Sequence, residues 1–171
     1  MTTVKDKTKL WKASYRIERF WAADYDQICR EGLNPYDVSE FEDNIALNTG
    51  KAEIWALVLG TSSALFNATN TRVGVGDSTT AEAKTQTDLV AATNKTYKAC
   101  ESTWPTRATV TDTNDTFEAR ASFGSAEANY AWQEFVIKNN SSGISLNRRV
   151  SNQGTKASGQ TWVITLRLQA G

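Results

Sequence analysis

The 171-residue chain contains no histidine, only two cysteines, two prolines and one methionine, and its nineteen basic residues are balanced by nineteen acidic ones. Without histidine, Ser/His and Cys/His catalytic arrangements are impossible. Cys/His metal centres are excluded as well, because Cys29 and Cys100 stand apart at no ligand spacing. The balanced charge and a pI near 6.3 give no bias toward nucleic acid or an anionic membrane surface. No stretch approaches the roughly 20 apolar residues of a membrane span, and the N-terminus lacks a signal-peptide apolar core. These absences predict a soluble protein made in a cytoplasm, with reduced thiols and no cofactor.

Charge is present in equal amounts but unevenly placed. Residues 1–20 carry six Lys or Arg against two acids, whereas residues 21–50 carry seven acids against one Arg. Such a dipole is either a solvated face or a device by which the basic tip of one copy meets the acidic stretch of another.

The hydrophobic pattern changes along the chain. In TKLWKASYRIERF, Trp11, Ala13, Tyr15 and Ile17 fall on one face and Lys12, Ser14, Arg16 and Glu18 on the other, which predicts a half-buried strand. Trp21, Tyr25, Ile28 and Cys29 then cluster at helical spacing, and Gly32 and Pro35 stop a short helix near Glu31. Ala52 to Leu59 favours a second helix closed by Gly60. From residue 71 onward, short β-type runs are separated by turns rich in Thr, Ser, Asn and Gly. In the last run Trp162, Ile164, Leu166 and Leu168 share a face, marking a core strand. TDTND (111–115) and NNSSG (139–143) read as hairpin loops, pairing 107–112 with 115–123 and 130–138 with 143–150. The expected fold is mainly β: an antiparallel β-sandwich or jelly-roll-like body over residues 46–171, one or two short helices, and an extended N-terminal arm over residues 1–45.

No motif signals catalysis. GVGDSTTAEAKTQTDL (74–89) resembles a nucleotide loop at first sight, but it lacks the P-loop spacing and lysine, and Asp77 would repel a phosphate. Its structural reading is a strand end at Val73 and Val75, a close turn permitted by Gly76, and a cap from Asp77, Ser78 or Thr79. Asp112 and Asp115 suit a solvated hairpin tip better than a carboxylate pair. Trp132 and Trp162 alternate as core residues do. Trp11, Arg16, Arg19 and Trp21, near the charged N-terminus, and Trp104, on a turn before Pro105, are the candidates to meet a partner chain. Arg148 and Arg149 are adjacent and point to opposite faces, so one of them is forced into a buried ion pair or an interface.

The ordered segments VGVGDSTTAEAKTQTDL, ATNKTYKACESTWP, ARASFGSAEANYAWQEFVIKN and LNRRVSNQGTKASGQTW resemble structural proteins of tailed bacteriophages, and RIERFWAADYDQICREGLNPYDVSEFEDN resembles the N-terminal segment of the same group. The resemblance implies a virion location and a non-enzymatic role. It fits best a capsid decoration (cement) protein whose partners are the major capsid protein and further copies of itself, such as a trimer. Under that reading the arm reaches a neighbour, and its removal leaves the β-body folded. The alternatives are a compact tail component, at the tail tip, at a fibre attachment or in host binding, and a carbohydrate-binding β-sandwich. A sugar binder needs two or three aromatics on one loop-rich edge, and Trp104 is the candidate there.

Overall fold

The alternating runs pair into two antiparallel sheets stacked face to face. The computed structural model describes residues 11–109 and 115–170. In chain order the elements are β1 (Trp11–Phe20), α1 (Tyr25–Glu31), β2 (Asp37–Glu42), β3 (Ile45–Ala46), α2 (Asn48–Val58), β4 (Thr71–Gly76), β5 (Lys95–Ala99), β6 (Thr106–Thr109), β7 (Asp115–Phe123), β8 (Glu134–Asn139), β9 (Asn147–Val150) and β10 (Thr161–Ala170). The first sheet has the order β2-β1-β10-β7-β6 and the second the order β3-β9-β8-β4-β5. This is the β-sandwich that the sequence predicts.

One core fills the space between the sheets. β1 contributes Ala13, Tyr15 and Ile17, β7 contributes Ala119, Ala121 and Phe123, and β10 contributes Trp162, Ile164, Leu166 and Leu168. Val73, Val75, Phe135 and Ile137 face them from the second sheet. Trp132 and Trp162 are core residues, as expected, with ring centroids 4.9 Å apart, and the Trp132 indole N–H donates to the Ala128 carbonyl at 3.1 Å. Tyr15 links the two sheets. Its ring stacks on Phe41 at 4.6 Å, its hydroxyl accepts a bond from Asn147 Nδ2 at 2.9 Å, and burial raises its pKa well above that of an ordinary tyrosine.

The segment expected as an arm is, from Trp11 onward, integral to the body. β1 pairs along its whole length with β10 on one side and, from Ser14 to Arg19, with β2 on the other. Burying Tyr15 and Ile17 stabilises that position by about 1.5–3 kcal/mol per side chain. Residues 1–10 lie outside the described residues.

α1 forms where expected. Asp24 caps it by accepting from the Gln27 amide at 2.8 Å, and Gly32 closes it at φ 61°. The expected cluster on its face is smaller than the spacing suggests, because Cys29 is exposed and Trp21 precedes the helix. Ile28 packs with Phe20, Ala22 and Val163 on the outer face of the first sheet, joined by the partly buried Tyr25 and Leu33. α2 starts four residues earlier than the sequence suggests, and Gly50 explains the close seat of its first turn. A Cβ there would lie 2.5 Å from Leu146 Cα.

Both expected hairpin pairings are present, β6 with β7 and β8 with β9. Gly143 takes φ 74° at the second tip, whereas residues 110–114, with Asp112 at the first, lie outside the described residues.

Because β1 lies between β2 and β10, deleting residues 1–20 is expected to abolish the cooperative thermal transition in circular dichroism. Deleting residues 1–10 should leave that transition in place.

Candidate functional site

The GVG motif at the end of β4 lies in regular strand. Neither Gly74 nor Gly76 is among the residues at positive φ, so Gly76 is not the turn-former that the sequence suggests. What both glycines provide is space. A Cβ on Gly74 would meet the Tyr97 ring and Val136 at 2.7–2.9 Å, and one on Gly76 would lie 2.5 Å from Glu134 Oε1. Large side chains can therefore lie flat against the outer face of the second sheet.

Residues 77–94 cross that face as an irregular strap. Its ends are tied together where Asn94 Nδ2 donates to Asp77 Oδ2 at 2.7 Å and the Asp77 amide donates to the Asn94 carbonyl at 3.1 Å. Beneath it lies an ion pair with both side chains wholly buried: Arg148 Nη2 is 2.7 Å and Nε 2.8 Å from Glu134 Oε2. Glu134 also accepts the strap amides of Val90 and Ala91, at 2.9 and 2.7 Å. Arg148 donates to the Thr80 carbonyl at 3.0 Å and to Gln86 Oε1 at 2.9 Å. With its partners satisfied, the desolvated pair acts as a clamp between strap and sheet. Asp88 adds a second tie, pairing with Lys138 and accepting from Ser145 at 3.0 Å.

The predicted contact residues divide by location. Arg148 is the buried arginine that the sequence anticipates. Arg149 faces the other way, partly exposed, 3.5 Å from Glu82. Arg19 is buried too, bound to Asp37 at 2.6 Å and to the Gln153 carbonyl at 2.9 Å, with its guanidinium 4.4 Å from the Trp162 ring centroid. Arg16 is half exposed and pairs with Glu40 at 2.5 Å and Glu18 at 3.3 Å. Trp21 is 64 % exposed and stacks on Tyr36 at 5.0 Å. Trp104 is partly buried on its turn. Trp11 lies at the start of β1, and its side chain is outside the described residues. The structure thus places Arg16 and Arg19 on one strand but on its opposite faces, Arg16 outside and Arg19 against Trp162, with Trp21 just beyond β1. It leaves Trp104 and the Arg148–Arg149 pair elsewhere.

Two features escaped the sequence reading. Trp55, Val58 and Leu59 lie on one side of the end of α2 and are 63 %, 68 % and 74 % exposed. The unbroken apolar run there hid which residues face outward. Lys156 is the other. Its ammonium is buried and donates to the Gly124 carbonyl and to Asn129 Oδ1, each at 2.7 Å. Burial lowers its pKa to about 8, and nearby Glu127 opposes the fall. Nothing in KASG marks it as an interior cation.

Two neighbouring depressions of about 560 and 570 Å³ lie over β1, β2 and β10, lined by Lys12, Arg16, Glu40, Glu42 and Arg167. Among the described residues no group of three His, Cys, Asp or Glu could hold a metal ion, and no helix is long and apolar enough to cross a membrane. Comparison of the chain with family models, curated proteins and solved structures finds no match.

Arg148→Met should lower the unfolding free energy by about 3–5 kcal/mol, since it leaves the Glu134 charge buried and unpaired. Limited proteolysis should then cut within residues 77–94 first.

Lys156 predicts a pH effect. Its folded-state pKa, about 8, lies below the ordinary 10.5, so above pH 8 the unfolded chain holds more protons and stability rises with pH. Cys100, pushed up by burial from 9.0 to about 11, opposes that rise from pH 9. Between pH 8 and 9, denaturant titrations should show wild type gaining on Lys156→Met by up to about 1 kcal/mol.

Proposed function

We propose that the protein is a non-enzymatic component of a tailed-phage virion that binds the outside of the capsid and stabilises the head lattice through repeated contacts. The observation that carries this reading is the open apolar face of α2. Three large apolar side chains on one helix face are left to water, and a contiguous patch of this kind marks a surface that another macromolecule covers. The charged outer face of the first sheet supports the same reading. Carboxylates there are matched with arginines on the same, the next or the next-but-one strand, Glu18 with Arg16 and Arg120, Glu40 with Arg16, and Glu118 with Arg167. This pattern favours a recognition surface over an acid–base site. Many weak contacts repeated by symmetry then add up on a closed shell.

The stacked Trp21–Tyr36 pair is the feature that favours carbohydrate binding instead. Quenching of tryptophan fluorescence by soluble glycans that is lost in Trp21→Ala would support that alternative.

The test is composition and binding. Tailless heads from the virion should carry the protein in many copies, and Trp55→Ser with Leu59→Ser should lower head occupancy about tenfold or more while the fold is retained. Recovery of the protein only with tails would overturn the capsid reading in favour of a tail component.

A further inference from the structure

Lys156 is a buried lysine held by neutral groups. Its side chain ends between the Gly124 carbonyl and Asn129 Oδ1, each at 2.7 Å, and the residue is 1 % exposed. An ammonium has three N–H groups to satisfy, whereas a neutral amine has two and a lone pair. Among the described residues the site supplies two acceptors, which suits the neutral form. Burial favours that form as well, lowering the pKa to about 8 against the opposing charge of Glu127. A desolvated lysine that is neutral near physiological pH is a nucleophile.

What it faces is an electrophile. Oδ1 is bonded to the Asn129 side-chain carbonyl carbon at about 1.23 Å, so the Lys156 nitrogen lies within about 3.9 Å of that carbon. This upper limit is close to the roughly 3–3.5 Å of a near-attack arrangement. Both partners are held in place. Asn129 Nδ2 donates to the Ser125 carbonyl at 2.9 Å, which turns the amide oxygen toward the lysine. The Lys156 amide donates to the Tyr130 carbonyl at 3.1 Å, and Ala131 bridges to Thr155. Ala128, just before Asn129, takes φ 50°, a left-handed conformation that is unfavourable for alanine and persists where the surroundings impose it. Its carbonyl is fixed by the buried Trp132 indole.

We propose that Lys156 and Asn129 join in an intramolecular isopeptide bond. The amine lone pair adds to the side-chain carbonyl carbon of Asn129, forming the Nζ–Cγ bond. The Cγ–Nδ2 bond then breaks, and Nδ2 takes up a proton released by the amine and leaves as ammonia. Atoms and charge balance without an oxidant, a reductant or a further reactant. Asn129 is an exposed residue, so the ammonia has a path to water. The product replaces a buried amine with a neutral amide. It also ties the β7–β8 connection to the β9–β10 connection across 27 residues of chain, a cross-link that restricts the unfolded state. Once linked, Lys156 no longer titrates, so the pH effect predicted above belongs to the unlinked chain. The inference does not depend on the capsid reading.

The mass of the full chain, measured in denaturant after incubation of the folded protein above pH 8, tests the bond. Wild type should be lighter than its sequence by one ammonia. Trypsin should release a branched peptide joining residues 121–138 to residues 150–167, uncut after Lys156. Asn129→Ala, which keeps the lysine, should retain the full sequence mass and give no branched peptide, and so should Lys156→Met. Circular dichroism of each variant checks that the sandwich is folded. A wild type that keeps its full mass, with residues 129 and 156 in separate peptides, would overturn the proposal and leave a hydrogen bond only. Loss of ammonia without a branched peptide would overturn it equally, because that loss belongs to another side-chain amide.

Discussion

The Arg148–Glu134 pair is the contact on which the second sheet depends. Two strands and eighteen residues of irregular chain meet there, and neither charged side chain is exposed to solvent. Glu134 on β8 receives two strap amides, and Arg148 on β9 returns two bonds to strap acceptors. Removing either ion would leave the other buried, so the arrangement holds as a unit or fails as one. Gly74 and Gly76 belong to the same construction, because a methyl group on either would occupy the space that Tyr97 or Glu134 needs.

The first sheet solves a different problem with the same chemistry. Its inner face is apolar and its outer face is a lattice of arginine–carboxylate pairs crossing from β2 to β7. Exposed pairs of this kind contribute little each, about 0–1 kcal/mol. Their larger effect is on specificity, since they favour one register of neighbouring strands. Stability resides in the core between the sheets. The α2 face, with Trp55, Val58 and Leu59 exposed, is a place where that core has no hold.

Much of this was legible in the sequence, because period-two patterning reports burial directly. β1, β10 and both hairpins follow from it, as do the core positions of Trp132 and Trp162. The adjacency of Arg148 and Arg149 predicted one buried arginine, since residues next to each other on a strand face opposite ways. What could not be read was long-range pairing. Charge asymmetry suggested an arm because local composition cannot show that β10, at the other end of the chain, pairs with β1 over ten residues. GVG suggested a turn, since a glycine that makes room for a distant side chain looks like one that bends the backbone. Lys156 was invisible for a similar reason: its acceptors come from residues 124 and 129.

The clamp is tested most directly by native-state hydrogen exchange at the Val90 and Ala91 amides. These residues lie in chain without regular secondary structure, so a strap held only by its ends would exchange them at rates typical of loops. The account predicts protection close to that of the β8 and β10 amides, because both donate to a buried carboxylate. Rapid exchange at both positions, with the core strands still protected, would contradict it.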